Sequence, residues 1–149
     1  MIDINVILKE LKYLPKYEEQ IMLQRHPDSD NFEYGTESWV DLKHPESEFI
    51  LPIYDKLEYT NLIMKTLGMS RTRVMKVKAK SCYSYHRDLS ERIHIPLITN
   101  EKCFFVIENE VIRLPADGNY YVIDTRKMHT FVNASFEDRI HIVGCIHNK

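Results

Sequence analysis

The tetrapeptide RIHI occurs at residues 92–95 and again at 139–142, within YSYHRDLSERIHIPLITN (83–100) and MHTFVNASFEDRIHIVGCI (128–146). In each copy apolar and polar residues alternate, and this period of two is typical of a β-strand. Side chains two residues apart lie on the same face of a strand, so each copy has one apolar and one polar face. The apolar set is Ile93, Ile95, Ile140 and Ile142, and the polar set is Arg92, His94, Arg139 and His141. The pattern leaves two interpretations of the polar faces, exposed strands in solvent or a basic pocket.

Short alternating segments follow one another from Arg71 onward, which indicates a strand-rich second part of the chain. RVMKVKAK alternates, and CFFVIENEVIRL predicts a hairpin that turns at Glu108 to Glu110. Asp117 and Gly118 then predict a turn into NYYVIDT. Many short strands separated by turn residues predict an antiparallel sandwich or barrel, and a jelly roll of the cupin type accommodates a metal inside.

The first part of the chain has helical and irregular patterns. Asp3 predicts the N-terminal cap of a short helix, and the pattern at 55–67 predicts an amphipathic helix that ends at Gly68. Residues 18–24 predict an early strand, and the polar, acidic stretch HPDSDNFEYGTES after them predicts a long loop.

Length and composition favour one globular domain, with residues 1–70 as helical and irregular support and 71–149 as the jelly-roll core. The chain has 149 residues, 44% hydrophobic and 28% charged, and a net charge of −2. Such a balance gives no global field for nucleic acid or anionic lipid. No apolar run is long enough to span a bilayer, and the N-terminus lacks signal-peptide features, so we predict a cytoplasmic protein without membrane or nucleic-acid partners.

The three cysteines, Cys82, Cys103 and Cys145, are odd in number and scattered, which predicts reduced thiols. The apolar neighbours of Cys82 and Cys145 predict that both are small core residues.

His86 and Asp88 are candidate metal ligands. They are two residues apart, so on an extended strand they point to one side while Arg87 points away. His129 lies far downstream and supplies a second imidazole, although an ordinary half-buried histidine gives the same pattern. Two imidazoles and one carboxylate are able to occupy one face of a ferrous ion and leave the opposite positions open for small molecules and oxygen.

These residues resemble the aspartyl/asparaginyl β-hydroxylase-like family of iron(II)- and 2-oxoglutarate-dependent dioxygenases, which includes relatives that act on free proline. The resemblance extends from about Trp39 to Ile146 and implies that His86 and His129 are the iron histidines. The vertebrate aspartyl/asparaginyl enzymes have a glycine where this chain has Asp88, whereas the proline-hydroxylating relatives keep a carboxylate. The resemblance therefore implies that Asp88 completes a His-Asp-His triad. It also implies a mainly β fold, the double-stranded β-helix, with N-terminal helices packed on it.

The same resemblance implies a site for the co-substrate. Arg139 matches the arginine that binds the far carboxylate of 2-oxoglutarate, on the last strand of the fold. Arg92 and His94 match an Arg-x-His pair that also contacts 2-oxoglutarate. Trp39 matches a tryptophan near that pocket, although a core aromatic residue is the simpler interpretation.

The resulting hypothesis is a dioxygenase that uses Fe(II), 2-oxoglutarate and O2 to hydroxylate an amino acid, free or within a peptide, with release of succinate and CO2. Two alternatives stay open. One is a metal-dependent cupin enzyme that does not use 2-oxoglutarate, and the other is a non-catalytic, ligand-binding jelly roll. Only the first hypothesis predicts succinate, so its formation separates the three. The sequence does not specify the substrate or the oligomeric state.

Overall fold

The computed structural model describes residues 1–147, which contain two α-helices, three 3-10 helices and eleven β-strands. The helices are α1 (Ile4–Glu10) and α2 (Glu58–Thr66), with 3-10 turns at Leu11–Tyr13, Trp39–Asp41 and Glu46–Glu48. The strands are β1 (Gln20–Met22), β2 (Gln24–Arg25), β3 (Leu51–Pro52), β4 (Ser70–Val77), β5 (Ser81–Cys82), β6 (Glu91–Ile98), β7 (Cys103–Ile107), β8 (Glu110–Ile112), β9 (Tyr121–Ile123), β10 (His129–Asn133) and β11 (Arg139–Ile146).

Strands β4 to β11 form a jelly roll. They pair antiparallel as nested couples, β4 with β11, β5 with β10, β6 with β9 and β7 with β8, as in one long hairpin rolled up on itself. The rolling produces a five-stranded sheet in the order β1-β4-β11-β6-β9 and a four-stranded sheet in the order β5-β10-β7-β8. The mainly β fold predicted from the sequence, a double-stranded β-helix with N-terminal helices, is confirmed.

The two predicted helices are present and begin or end at the predicted residues. The side chain of Asp3 accepts a hydrogen bond from the N–H of Val6 at 3.3 Å, so it caps α1. Gly68 has a φ of +65° just after α2, a conformation that glycine adopts without steric cost. The predicted hairpin turn between β7 and β8 is also confirmed, with Glu108 at a φ of +52°.

The predicted strand at 18–24 is shorter than expected, because Leu23 interrupts it between β1 and β2. The N–H of Leu23 donates to the carbonyl of Thr72 at 2.8 Å, and its carbonyl accepts from the N–H of Ile53 at 3.1 Å. Leu23 thus ties two different segments together instead of continuing a single ladder.

The five-stranded sheet has an apolar outer face and a polar inner face. Its outer face packs against α1 and α2 in a buried cluster that includes Ile7, Leu57, Met64, Val74, Ile93, Ile95 and Ile142. Its inner face carries Arg92, His94, Arg139 and His141, each at most 5% exposed. The basic-pocket interpretation of the two RIHI strands is therefore confirmed, and the solvated-strand interpretation is wrong.

The three thiols are free, as predicted, but the prediction that Cys82 is a core residue is wrong. Cys103 and Cys145 are buried, whereas Cys82 is exposed. Cys82 lies on β5, a two-residue strand at the edge of the four-stranded sheet, so its apolar sequence neighbours do not bury it. No helix within residues 1–147 combines the length and the apolar character that a membrane crossing requires.

We expect the buried apolar cluster between the five-stranded sheet and the two helices to dominate the stability of the fold. Met64 and Leu62 both lie on α2, but Met64 is 1% exposed and Leu62 is 58% exposed. Met64→Ala should lower the free energy of unfolding by about 2–5 kcal/mol because it leaves a cavity. Leu62→Ala should change it by less than about 0.5 kcal/mol. Urea unfolding followed by circular dichroism measures both values, and equal losses in the two variants would contradict the placement of α2.

Candidate metal centre

His86 and His129 meet at one end of the jelly roll through a two-way backbone bridge. The N–H of His86 donates to the carbonyl of His129 at 2.9 Å, and the N–H of His129 donates to the carbonyl of His86 at 2.7 Å. His129 is the first residue of β10, but His86 and Asp88 lie in an irregular segment between β5 and β6 rather than on the predicted continuous strand. A hydrogen bond of 2.8 Å from the N–H of Asp88 to the carbonyl of Thr125 holds this segment in place.

The tautomers of the two histidines are determined by their backbone contacts. Nδ1 of His86 is 2.6 Å from the carbonyl of Ser84, and Nδ1 of His129 is 2.8 Å from the carbonyl of Lys127. A carbonyl oxygen only accepts, so in both rings Nδ1 carries the proton and Nε2 keeps a free lone pair. Carbonyl partners of this kind orient imidazoles that bind metals.

The free nitrogens converge with the Asp88 carboxylate. Oδ1 of Asp88 is 3.7 Å from Nε2 of His86, and Oδ2 is 3.6 Å from Nε2 of His129. One ligand atom from each of the three residues lies within 4.8 Å of the other two. Metal bonds to such atoms are about 2.0–2.2 Å long, so donors on one ion stand roughly 3–4 Å apart. Burial lowers the pKa of His129, which favours the neutral ring that binds a metal. The three residues therefore fit a divalent metal ion.

The metal-ligand cluster opens into a cavity of about 530 Å³ between the two sheets. All seven residues singled out in the sequence line it, namely His86, Asp88, His129, Arg139, Arg92, His94 and Trp39. The predicted long loop borders the same cavity through residues 36–38. The tertiary structure thus brings residues from four separate parts of the chain to one space.

Arg139 is a buried cation that has no carboxylate partner within residues 1–147. Its side chain is 2% exposed, and the guanidinium carbon lies 4.0 Å from the ring centre of Phe131. Within the described part of the chain, Nε and one terminal nitrogen of Arg139 have no hydrogen-bond partner. Burial lowers its pKa to about 10, so the group stays charged at neutral pH. A buried charge with free donors fits an anionic ligand.

Arg92 differs from Arg139, because it already has a carboxylate partner. One of its terminal nitrogens is 2.9 Å from Oε2 of Glu46, and the other donates to the hydroxyl of Ser90 at 2.6 Å. Its Nε is 3.6 Å from Oδ2 of Asp88. Arg92 therefore connects Glu46 to a candidate metal ligand, and its predicted contact with the co-substrate stays a prediction.

His94 and Trp39 line the cavity, and one polar atom of each side chain already has a hydrogen-bond partner. Nδ1 of His94 is 3.1 Å from Nδ1 of His141, and burial, together with the nearby charge of Arg139, holds the pKa of both rings well below the usual value. The indole N–H of Trp39 donates to the carbonyl of Arg87 at 3.1 Å. Trp39 thus contacts the ligand segment itself and is not a core residue.

Glu46 and Arg73 are two further residues of the charge network that were not predicted from the sequence. Glu46 is 2% exposed and bridges Arg92 and Arg71, whose nearest nitrogen lies 2.6 Å away, but no sequence period marks it. Arg73 did leave a signal. It lies on the same face of β4 as Met75 and Val77, which are two and four residues further along, so the pattern places a cation on the inward face of a strand.

A second cluster, His26, Asp28 and His44, also brings potential ligand atoms together. The N–H of Asp28 donates to Nδ1 of His26 at 3.0 Å, so the proton of that ring is on Nε2, 2.8 Å from a carboxylate oxygen of Glu48. His26 therefore has no free lone pair, and its ring stacks on His44 at 3.8 Å. We interpret this cluster as structural.

A jelly roll with two histidines and an aspartate at one end of its cavity defines a candidate metal-dependent protein of the cupin type. A family model described as aspartyl/asparaginyl beta-hydroxylase matches residues 2–147. The chain belongs to that family, as the sequence resemblance predicted. The family and the candidate cluster together support a metal-dependent enzyme with a cupin fold.

Solved structures with a similar fold overlap about half of the chain. DMSP lyase DddQ from Ruegeria pomeroyi is 18% identical with a TM-score of 0.43, over 52% of this chain and 38% of that protein. A predicted oxalate decarboxylase from Thermotoga maritima is 17% identical with a TM-score of 0.41, over 57% and 73% of the two chains. A cupin-2 domain protein from Shewanella frigidimarina is 21% identical with a TM-score of 0.38, over 50% and 69%. A comparison with curated proteins gave no match.

We expect His129→Ala to abolish stoichiometric binding of a divalent metal without unfolding the protein. The change removes one of three ligands, while the backbone bridge to His86 persists. Cobalt(II) titration followed by visible absorption measures affinity and geometry, and circular dichroism checks the fold. His147→Ala is the control, because His147 is exposed and outside the cluster. Unchanged metal affinity in the His129 variant would rule out the proposed ligand set.

Glu46 should make stability depend on pH in the acid range. Burial alone would raise its pKa, but the charges of Arg92 and Arg71 outweigh burial and lower it from 4.5 to about 2. The folded-state pKa lies below the unfolded one, so the stabilisation is complete above pH 4.5 and disappears as the pH falls towards 2. Between pH 5 and 2 the wild type should lose about 3 kcal/mol more than Glu46→Gln.

Urea unfolding at several pH values tests this dependence. Glu110→Gln is the control, because Glu110 is exposed on β8 and should retain the wild-type slope. Identical slopes for the wild type and Glu46→Gln would show that Glu46 is not the buried anion of the network.

Proposed function

We propose that this protein is an Fe(II)- and 2-oxoglutarate-dependent dioxygenase that hydroxylates an amino acid, free or within a peptide. One observation carries the proposal. A buried arginine with free donors, Arg139, lines the same cavity as the His86, Asp88 and His129 cluster. A cupin enzyme that does not bind a dicarboxylic co-substrate has no evident use for this cation.

Arg139 is suited to hold the far carboxylate of 2-oxoglutarate. A guanidinium offers two parallel donors to a carboxylate, and such bonds are stronger when both groups are charged and shielded from water. The ring of Phe131 supports the guanidinium from one side and limits its rotation. The side chain is thus preorganised for a carboxylate rather than for a point charge.

His86, Asp88 and His129 are suited to hold the iron. Two neutral imidazoles and one carboxylate leave open positions, and the carboxylate offsets part of the charge of a ferrous ion. When bound, iron and 2-oxoglutarate supply the oxidative chemistry, in which O2 gives one atom to succinate and one to the substrate C–H bond, and CO2 is released. The protein contributes position. The carbonyls of Ser84 and Lys127 keep both Nε2 atoms directed at the ion.

The walls of the cavity restrict water near the reacting groups. Phe105, Phe131 and Val143 are buried and line it from both sheets. Trp39 and residues 36–38 border its opening, and the loop that carries them is anchored by Arg71, which donates to the carbonyls of Gly35 and Glu37 at 2.9 and 2.6 Å. Apolar walls that limit water near the reacting groups protect oxidising chemistry from side reactions.

We also propose that the protein works in a reducing compartment, the cytoplasm, as a single domain without nucleic-acid or membrane partners. Three free thiols and a net charge of −2 support this proposal. Ferrous iron is favoured under the same reducing conditions.

Anaerobic titration with Fe(II) and 2-oxoglutarate tests the proposed function. We expect a weak visible charge-transfer band when both are present, and succinate release after O2 and a substrate are added. A metal-binding protein that shows neither the band nor succinate would instead support a cupin enzyme that does not use 2-oxoglutarate.

Arg139→Lys should weaken 2-oxoglutarate binding while it leaves metal binding unchanged. Lysine keeps the charge but loses the paired donors, so the loss should be about 1–3 kcal/mol, the scale of a hydrogen bond to a charged group. The dissociation constant of 2-oxoglutarate, read from the visible band, measures it. Arg126→Lys and Arg113→Lys are controls, because both residues lie outside the cavity lining. An unchanged constant in the Arg139 variant would contradict the assigned role.

A further inference from the structure

Four arginines are buried around the cavity, and they fall into two pairs. Arg71 and Arg92 share the carboxylate of Glu46, at 2.6 and 2.9 Å. Arg73 and Arg139 have no carboxylate bound to their guanidinium groups among the described residues. The proposed co-substrate accounts for Arg139 and leaves Arg73 without an anion.

Arg73 is built into the site and is not a surface residue. It is 7% exposed, lines the cavity, and has a buried Nε without a hydrogen-bond partner in the described part of the chain. One terminal nitrogen donates to Oε1 of Gln20 at 3.1 Å, and the amide nitrogen of Gln20 donates to the carbonyl of Thr36 at 3.0 Å. Gln20 therefore orients the guanidinium and links it to the loop at the cavity opening.

The strand register separates Arg73 from Arg139. On β4 and β11, Arg139 lies opposite Val77, whereas Arg73 lies opposite Val143, whose other neighbour is His94 on β6. Arg73 and Val77 are four residues apart on one strand, which corresponds to roughly 13 Å. The two arginines thus project from different positions along the cavity wall.

Arg73 lies on the side of the cavity where the candidate metal ligands are. Arg92, whose Nε is 3.6 Å from Oδ2 of Asp88, lies opposite Cys145 on β11. Cys145 is two residues along that strand from Val143, the partner of Arg73, and six residues from Arg139. A metal ion on Asp88 would offset that carboxylate, so Arg73 would retain an uncompensated charge. An incoming anion next to the metal is the natural partner for such a cation.

We propose that Arg73 binds a carboxylate of the substrate that is hydroxylated. This inference rests on the proposed function and narrows the class of substrate. The substrate class is then a small amino acid that presents a carboxylate. A cavity of about 530 Å³ that also holds a five-carbon diacid has room for a residue of this size. The carboxylate comes either from the backbone of a free amino acid or from the side chain of an aspartyl residue in a peptide, and the test separates these sources.

Trp39 provides the readout, because it is the one tryptophan of the chain and lines the cavity. Its fluorescence is followed in protein loaded with Mn(II) and 2-oxoglutarate, so binding is measured without turnover. Three sets of probes are titrated. They are the free L-amino acids, the corresponding L-amino acid amides, and N-acetylated, amidated peptides with a central aspartate or a central neutral residue.

We expect at least one probe with a free carboxylate to bind the wild type, and its uncharged counterpart to bind at least about tenfold more weakly. Binding by free amino acids identifies the backbone carboxylate, and binding by aspartyl peptides identifies the side-chain carboxylate.

Arg73→Gln should weaken binding of the carboxylate probe at least about tenfold and change the 2-oxoglutarate dissociation constant by less than about twofold. Arg73→Lys keeps the positive charge and should retain part of the affinity for the carboxylate probe. It provides a second test of the role of Arg73 if the glutamine variant does not fold. Lys76→Gln is the matched control, because Lys76 lies on the same strand but outside the cavity lining.

Three results would overturn the proposal. Equal binding of the amides or neutral peptides and their carboxylate counterparts excludes a substrate carboxylate, and so does a failure of every probe with a free carboxylate to bind. If Arg73→Gln weakens binding of 2-oxoglutarate instead of the probe, Arg73 belongs to the co-substrate site. Failure of the proposed function is distinguishable, because the wild type would then lack both the visible band with Fe(II) and 2-oxoglutarate and the release of succinate.

Discussion

The carboxylate of Glu46 compensates two arginines inside a small jelly roll, and the site depends on that compensation. Its oxygens lie 2.6 Å from Arg71 and 2.9 Å from Arg92, and all three side chains are almost fully buried. Removing one member of such a buried pair leaves an unpaired charge, which is far more costly than the net gain from forming the pair. Glu46 thereby joins the loop at the cavity opening, through Arg71, to the metal-ligand segment, through Arg92 and Asp88. Among the described residues, the interaction also leaves Arg73 and Arg139 as the two buried cations of the cavity without a carboxylate partner.

A basic interior is possible here because the fold has a separate apolar core. The outer face of the five-stranded sheet packs against the two helices and buries residues such as Ile7, Leu57 and Ile142 completely. Burial of apolar area there offsets the cost of desolvated charges on the inner face. The same strands therefore serve two purposes, since alternate side chains point to the core and to the cavity. This division explains why the N-terminal helices matter for a site to which they contribute no residue.

Several elements were predictable because their signals are local. The caps at Asp3 and Gly68, the hairpin at Glu108 and the alternation in both RIHI strands all depend on residues close in sequence. The spacing of His86 and Asp88 predicted that the two side chains lie together, and they do, although the backbone there is an irregular segment held by a bridge to His129 rather than a regular strand. The prediction for Cys82 was wrong, because edge position is a property of the sheet and not of the neighbouring sequence.

The sequence by itself determined the period of each strand, the candidate ligands and the family, because these depend on residue identity and short spacing. It did not determine which charges are compensated. Whether an arginine in the cavity is paired depends on contacts between residues far apart in the chain, such as Glu46 with Arg92, and only the tertiary structure specifies them. The tautomers of His86 and His129 are likewise set by backbone carbonyls that only the folded chain places within hydrogen-bonding distance. The identities of the side chains at the candidate site thus follow from the local sequence. The pairing of their charges and the tautomers of the histidines follow from contacts that form only when the jelly roll folds.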